Sequence, residues 1–234
     1  MAMTPFELTR FLSASALFCG LTDAELACVM PACAFKKLSR GEMVFCIGDP
    51  CESFHIVVSG QVKLFMTSPL GHEKVIEIFS AGQSFAEAIM FLDKPYIFNA
   101  QALNNVVLLE VSKQGVFAEI ARDPKFAMHM LGGVSRRLAT LIQDVEGYAL
   151  KNGLQRLVAF LLRDVDLSSP DASNCLTVNL PASKGTVASR LSLTPEYFSR
   201  VLHDLADKQL IELDGRDIRI PDVRKLVAFG TESV

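Results

Sequence analysis

This chain of 234 residues has little charge of either sign to spare: 23 Lys+Arg stand against 26 Asp+Glu, a formal net charge of −3. A nucleic-acid binder usually shows a basic balance, so the overall charge gives no sign of one. No apolar run approaches the roughly 18 residues that a membrane helix needs; the longest tidy one is Leu157 to Leu162. Residues 11–21 superficially resemble a signal-peptide core, but Ser13, Ser15 and Gly20 interrupt it and Glu7 stands where a positive segment belongs. An amphipathic helix in a soluble, cytoplasmic protein without a membrane partner is expected instead. There is no C-x2-C and no His pair at metal spacing, which argues against a structural zinc. Nor is there a G-x-S-x-G elbow, a Walker loop, H-E-x-x-H or G-x-G-x-x-G. No enzyme is expected, and Glu87 beside a pocket is the only support an enzyme reading has.

What is present belongs to an ordinary folded chain: 50% apolar and 21% charged residues exclude a disordered tail, a collagen-like repeat and a disulfide-packed miniprotein. The six cysteines (Cys19, Cys28, Cys33, Cys46, Cys51, Cys175) are expected as reduced thiols, each read first as a small buried apolar residue.

Three pieces follow along the chain. From Gly41 to Val111 the pattern has period two with glycine punctuation: Val62, Leu64 and Met66 alternate with Lys63, Phe65 and Thr67. Val75 to Phe79 returns after a turn at residues 69–71, and Val106 to Val111 closes the set. Short strands at such spacing imply a small antiparallel barrel or roll, flanked by helices over residues 5–30 and 113–121. Next, Asp123-Pro124 starts a helix. On it Leu131, Val134, Leu138, Leu141, Val145 and Tyr148 recur at alternating steps of three and four, the a/d seam of a dimer helix. The third piece begins with helical spacing over residues 154–165 and ends in a hairpin around Asp214-Gly215. Residues 1–150 carry 12 Lys+Arg against 15 Asp+Glu and residues 151–234 carry 11 against 11, so the acidity belongs to the front of the chain.

Residues 183–206 hold two short helical segments around Leu191-Ser192-Leu193. Val187 and Leu191 face inward from the first, and Phe198, Val201, Leu202 and Leu205 from the second. Thr194 suits an N-cap and Pro195 the first helical position. Glu196, Tyr197, Ser199 and Arg200 are then expected outward, where the second helix of a helix-turn-helix meets base edges. Glu accepts from cytosine, and Arg chelates guanine. Lys184, Thr186, Ser189 and Arg190 are placed to grip phosphates. The trailing hairpin makes the module winged. Ser192 occupies the turn where a glycine is usual.

The order of parts resembles the cyclic-AMP receptor protein/fumarate–nitrate reduction regulator (CRP/FNR) family over nearly the whole chain. The motifs are Gly60-Gln61-Val62-Lys63-Leu64, Phe85-Ala86-Glu87, Arg136-Arg137-Leu138 and Glu196-Tyr197-Phe198-Ser199-Arg200. The resemblance implies an α+β fold: an N-terminal cyclic-nucleotide-binding-like antiparallel β-roll (jelly roll) over residues 1–123, a dimerisation helix over 124–149, and a C-terminal winged helix-turn-helix over 150–234. It implies a homodimeric transcription regulator that binds double-stranded DNA and works with RNA polymerase. The E-x-x-S-R pattern is like the FNR branch, which resembles readers of a TTGAT-N4-ATCAA palindrome; Glu196 and Arg200 would read bases and Ser199 the thymine side.

The family's cyclic-nucleotide site carries over incompletely. Glu87 is retained, the Gly before it is Ala86, the Arg-Ser pair falls at Phe98 and Asn99, and the helix hydroxyls fall at Leu141 and Ile142. An unneutralised phosphate among such residues is costly, so cyclic AMP is not expected. Four-thiolate iron–sulfur ligation stays open geometrically, as does redox sensing through thiols. Residues 85–93 closely resemble the nitric-oxide-responsive denitrification regulators (the Dnr subgroup), associated with haem in an apolar pocket. The candidate pocket is Phe85, Ala86, Glu87, Met90, Phe98, Asn99, Arg137, Leu141 and Ile142. Of the four histidines, His55 and His129 are the candidate haem ligands, His72 is read as a solvated turn residue and His203 lies in the DNA-binding part. A regulator sensing another small ligand, and a non-enzymatic interaction module, remain as alternatives.

Overall fold

The computed structural model describes residues 3–163 and 175–232, the side chains of residues 137, 140, 143–150 and 232 excepted. The chain divides into two compact units, Met1–Leu141 and Ile142–Val234.

In the first unit, α1 (Pro5–Ala14) and α2 (Asp23–Val29) each start on a capping box, Thr4 with Glu7 and Thr22 with Glu25. Eight strands follow: β1 (Cys33–Leu38), β2 (Met43–Phe45), β3 (Ser53–Ser59), β4 (Val62–Thr67), β5 (Glu73–Phe79), β6 (Ser84–Phe85), β7 (Asn99–Ala102) and β8 (Val106–Ser112), with α3 (Glu87–Phe91) between β6 and β7. They pair antiparallel in two four-stranded sheets, β1-β8-β3-β6 and β2-β7-β4-β5. The core is filled by Phe54, Ile56 and Leu108 from one sheet and Val62, Leu64 and Ala100 from the other. Leu12, Phe18 and Leu26 from the helical end join it. This is the expected roll, with one departure. A single extra residue in β5, Ile76, interrupts the pairing between Leu64–Glu77 and Phe65–Val75. Past that irregularity Met66, which alternates in register with buried Val62 and Leu64, is exposed.

Helices α4 (Lys113–Arg122) and α5 (Pro124–Leu150) complete the unit, α5 running on into the second. The inward face of α5 presents Phe126 and Met130 to the roll's core. At Gly133 a Cβ would stand 2.9 Å from the backbone of Leu17, so only glycine lets the helix lie this close. The same register corrects the expected dimer seam. Leu131, Leu138 and Leu141 are 59%, 57% and 43% exposed, but Val134 packs against the core of its own unit. Leu141, one heptad on and within about 20° of the same angle, is exposed, so it is position along α5, not the side of the helix, that brings Val134 to the roll. The side chains of Val145 and Tyr148 lie outside the described residues.

The second unit holds α6 (Gly153–Leu161), β9 (Leu176–Asn179), α7 (Lys184–Arg190), α8 (Pro195–Asp207), β10 (Glu212–Asp214), β11 (Asp217–Ile220) and α9 (Val223–Glu232). Helix α6 ends at Leu161, short of the expected stretch 154–165, whose residues 164 and 165 lie outside the described residues. The expected hairpin is β10–β11, and β9 adds an unforeseen third strand in the order β10-β11-β9. Leu157, Val187, Phe198, Leu202, Ile218 and Leu226 are buried.

Candidate nucleic-acid interface and effector pocket

The two helices at residues 184–207 are set by short-range chemistry at each end. Ser183 accepts from the Thr186 N–H, and Thr194 accepts from the Tyr197 N–H with Pro195 behind it. Between them the chain turns at Ser192, whose φ is +56°. Its N–H donates to Ser189 O, and the Leu193 N–H to Ala188 O. That bond pair is a Schellman ending, in which the left-handed residue is usually glycine. Ser192 therefore takes the geometry that the sequence reserves for a glycine, with backbone strain of about 1 kcal/mol. The turn is further tied by Arg156 of α6, whose Nη1 donates to Leu191 O at 2.9 Å.

This frame leaves Glu196 and Arg200 exposed on the first turns of α8, with Ser199 half-buried beside them. Exposed Thr194 caps the helix, and Lys184, Thr186 and Ser189 line α7 half-buried. Two expectations need correction. Arg190, read as a phosphate contact, is only 7% exposed, with its guanidinium 5.7 Å from the centre of the Phe160 ring. Tyr197, read as outward, is half-buried; its Cε1 sits where a Cβ on Gly153 would meet it at 2.6 Å. Exposed His203, one turn along α8, has its Nδ1 2.7 Å from Ser199 O.

In the first unit, aromatic rings gather where β2, β3, β6 and β7 meet. Phe45 stacks on Tyr96 at 3.6 Å and has Phe98, Phe85 and His55 at 6.1, 6.2 and 5.7 Å. His55 in turn stacks on Phe85 at 5.2 Å. It is 2% exposed, and its Nδ1 has no hydrogen-bond partner among the described residues. Burial, helped by the charge of Lys36, pushes its pKa down to about 3. The imidazole is therefore neutral near pH 7.

Phe85, Ala86 and Glu87 follow one another into α3. Ala86 is left-handed at φ +73° and caps the helix, its carbonyl accepting from the Met90 N–H. Glu87 is buried, with Ser84 Oγ 3.4 Å from its Oε1, and Met90 is fully buried core. Asn99 beside Phe98 accepts from the Ile47 N–H at 2.9 Å. Phe85, Ala86, Glu87, Met90, Phe98 and Asn99 are thus neighbours on one framework. Leu141 and Ile142 are exposed, Ile142 opens the second unit, and the Arg137 side chain lies outside the described residues. His129 is partly exposed, with its Nδ1 3.8 Å from Glu25 Oε1 on α2. His72 is exposed in the β4–β5 turn as expected.

Residues 35–123 match the model of the cyclic nucleotide-binding domain, and residues 155–229 that of the Crp-like helix-turn-helix domain. The solved structure of DNR from Pseudomonas aeruginosa is 33% identical over 98% of this chain and 100% of that one, with a TM-score of 0.55. The chain belongs to the CRP/FNR family. The global nitrogen regulator of Synechococcus elongatus is 27% identical over 79% of this chain and 84% of its own. The CRP-like cAMP-activated global transcriptional regulator of Mycobacterium tuberculosis is 22% identical over 94% of this chain and 98% of its own. Like these CRP/FNR relatives, the chain is a DNA-binding transcription regulator and not an enzyme, and a dimeric assembly comes with the family. Among the described residues no helix is long and apolar enough to cross a membrane.

Against that family frame, sequence reasoning missed four residues that shape the two sites: Phe45 and Tyr96 in the roll, Gly153 and Arg156 under the reading helix. None lies on a periodic stripe, because each acts through a partner distant in sequence. The cysteines also differ from expectation: only Cys51 is buried, Cys33 is intermediate, and Cys19, Cys28, Cys46 and Cys175 are exposed. Among the described residues no three His, Cys, Asp or Glu side chains converge as a metal would need.

Proposed function

We propose that this protein is an effector-controlled homodimer that reads a TTGAT-N4-ATCAA palindrome and responds to nitric oxide through haem held in the sensor roll. The observation that carries the DNA reading is the exposure of Glu196 and Arg200 together on the first turns of a capped α8. Arg200 presents a two-pronged donor suited to guanine O6 and N7, and Glu196 an acceptor suited to a cytosine amino group. Lys184, Thr186, Ser189 and Thr194 contact the backbone in this reading. Two copies must then set their α8 helices about 34 Å apart to meet both half-sites. Effector binding acts by shifting the population of dimers with that spacing, and RNA polymerase is the partner on the promoter.

For the sensor, Phe98 stands where the family's phosphate-binding Arg falls, and the residues around it are aromatic. A phosphate placed there lacks the arginine that would offset its burial, whereas a flat apolar ligand gains from such rings. His55 fits the ligand role on its own chemistry: a neutral, buried imidazole whose Nδ1 makes no hydrogen bond among the described residues. His129 is the second candidate. His55 would hold the iron, Phe85, Phe98 and Met90 would cover the macrocycle, and haem would supply the iron centre that takes nitric oxide. Phe45 and Tyr96 stack directly, so a macrocycle entering there has to part them. The subgroup reading is supported by the DNR structure.

A gel-shift with the palindromic duplex tests the first part. No binding at modest salt, with or without effector, would sink it. Arg200→Ala should cost about 1–3 kcal/mol of discrimination at one G·C pair per half-site. For the second part, the absorption spectrum after haem reconstitution should show a Soret band that moves with nitric oxide, and a spectrum without one refutes the haem reading.

A further inference from the structure

Arg200 is a long side chain on an exposed helix face, and such a chain loses rotamer freedom when it is fixed on a base edge. Its immediate surroundings limit that freedom beforehand. The Arg200 guanidinium carbon lies 5.0 Å from the centre of the Tyr197 ring, three residues back on α8. Residues three apart on a helix share a face, and a guanidinium over an aromatic face is attracted to it. The ring is itself held. A Cβ at Gly153, the first residue of α6, would meet Tyr197 Cε1 at 2.6 Å and Cζ at 3.1 Å, and Leu193 Cδ2 at 3.0 Å. Gly153 has no positive φ to require glycine, so the ring, not the backbone, sets the demand for a residue without a side chain. The backbone of Tyr197 is fixed too, its N–H donating to Thr194 Oγ1.

We infer that Tyr197 does not read DNA but positions the residue that does: its ring, seated on Gly153, holds the Arg200 guanidinium ready for a guanine. This rests on the half-site reading above, and makes Tyr197 and Gly153 positioning residues that set how sharply the G·C pair is chosen. A ring that merely filled space would support affinity for every duplex equally.

The test compares full-length protein on two duplexes by fluorescence anisotropy: TTGAT-N4-ATCAA, and the same site with each half-site G·C replaced by A·T. The readout is the ratio of the two affinities. Tyr197→Leu keeps an apolar contact on Gly153 but removes the π face; it should lower the ratio about two- to fivefold, the loss of an exposed cation–π contact. Tyr197→Phe should keep the ratio. In an Arg200→Ala background Tyr197→Leu should change nothing further. Gly153→Ala should lower the ratio when Tyr197 is present and leave it alone beside Tyr197→Leu, with thermal melts confirming the fold of each variant. A Tyr197→Leu protein that weakens on both duplexes equally overturns the inference, as does a loss that adds to that of Arg200→Ala. If the unsubstituted protein does not distinguish the duplexes, the half-site reading itself fails and the inference with it.

Discussion

Replacing His55 by Phe should remove a pH dependence of folding that the sensor core builds in. The His55 ring is stacked on Phe85, close to Phe45, and burial holds its pKa at about 3. In the unfolded chain it returns to about 6.5. At pH values between the two, the unfolded state binds a proton that the folded state refuses. Stability is therefore insensitive to this group above about pH 6.5 and falls as the pH drops below it, by up to about 1.4 kcal/mol per pH unit. Between pH 7.5 and 5.0 the loss comes to about 2 kcal/mol. Phenylalanine has a similar shape and no proton to bind, so His55→Phe should lack that component whatever its own stability at pH 7.5. Equilibrium urea unfolding of the ligand-free protein at pH 7.5, 6.5 and 5.0, followed by circular dichroism and fitted to separate transitions for the two units, gives the comparison. The sensor transition of the original protein should lose about 2 kcal/mol more than that of the variant. Parallel losses in both would show that His55 is charged or solvated in the folded state and refute the reasoning.

Other consequences are open to direct measurement. Leu138→Glu places a carboxylate on an apolar position that is exposed in the single chain; sedimentation should show a shift towards monomer while the melting of the roll changes little. Gly133→Ala forces a methyl to within 2.9 Å of the Leu17 backbone and should destabilise the first unit by about 1–3 kcal/mol in a urea titration. Gln209 ends α8 in the left-handed region at φ +58°, with the Leu210 N–H on Leu205 O. Gln209→Gly should thus stabilise the second unit by about 0.5–1 kcal/mol, seen as a raised melting temperature. In haem reconstitution, His55→Phe should lose the Soret feature assigned to axial imidazole, and an unaltered spectrum would pass that role to His129.

Local patterns were legible where a residue's neighbours in sequence are also its neighbours in space. Thr194-Pro195 marked the start of α8, and Val187, Phe198, Leu202 and Leu205 marked the faces that are buried. The period-two stretch through Val62 and Leu64 became β4 for the same reason. Legibility failed where another element supplies the deciding contact. Arg190 reads as a surface cation until Phe160 from α6 is placed over it. Val134 fits a heptad until the roll claims it. Cys51 alone among six thiols is buried, because its place in the roll, not its chemistry, decides.

The near-neutral charge that first spoke against DNA shows the same division. By itself the sequence determined the parts and their order: a roll, a long helix, a winged pair of helices, and the residue types that could read bases or line a pocket. Those follow from hydrophobic period, caps and turn residues, which act over a few positions. Only the tertiary structure decided which cations stay at the surface, that Tyr197 is seated on Gly153 beneath Arg200, and that His55 is sealed among rings as a neutral base. Burial and charge state belong to contacts between distant segments, and no local pattern contains them.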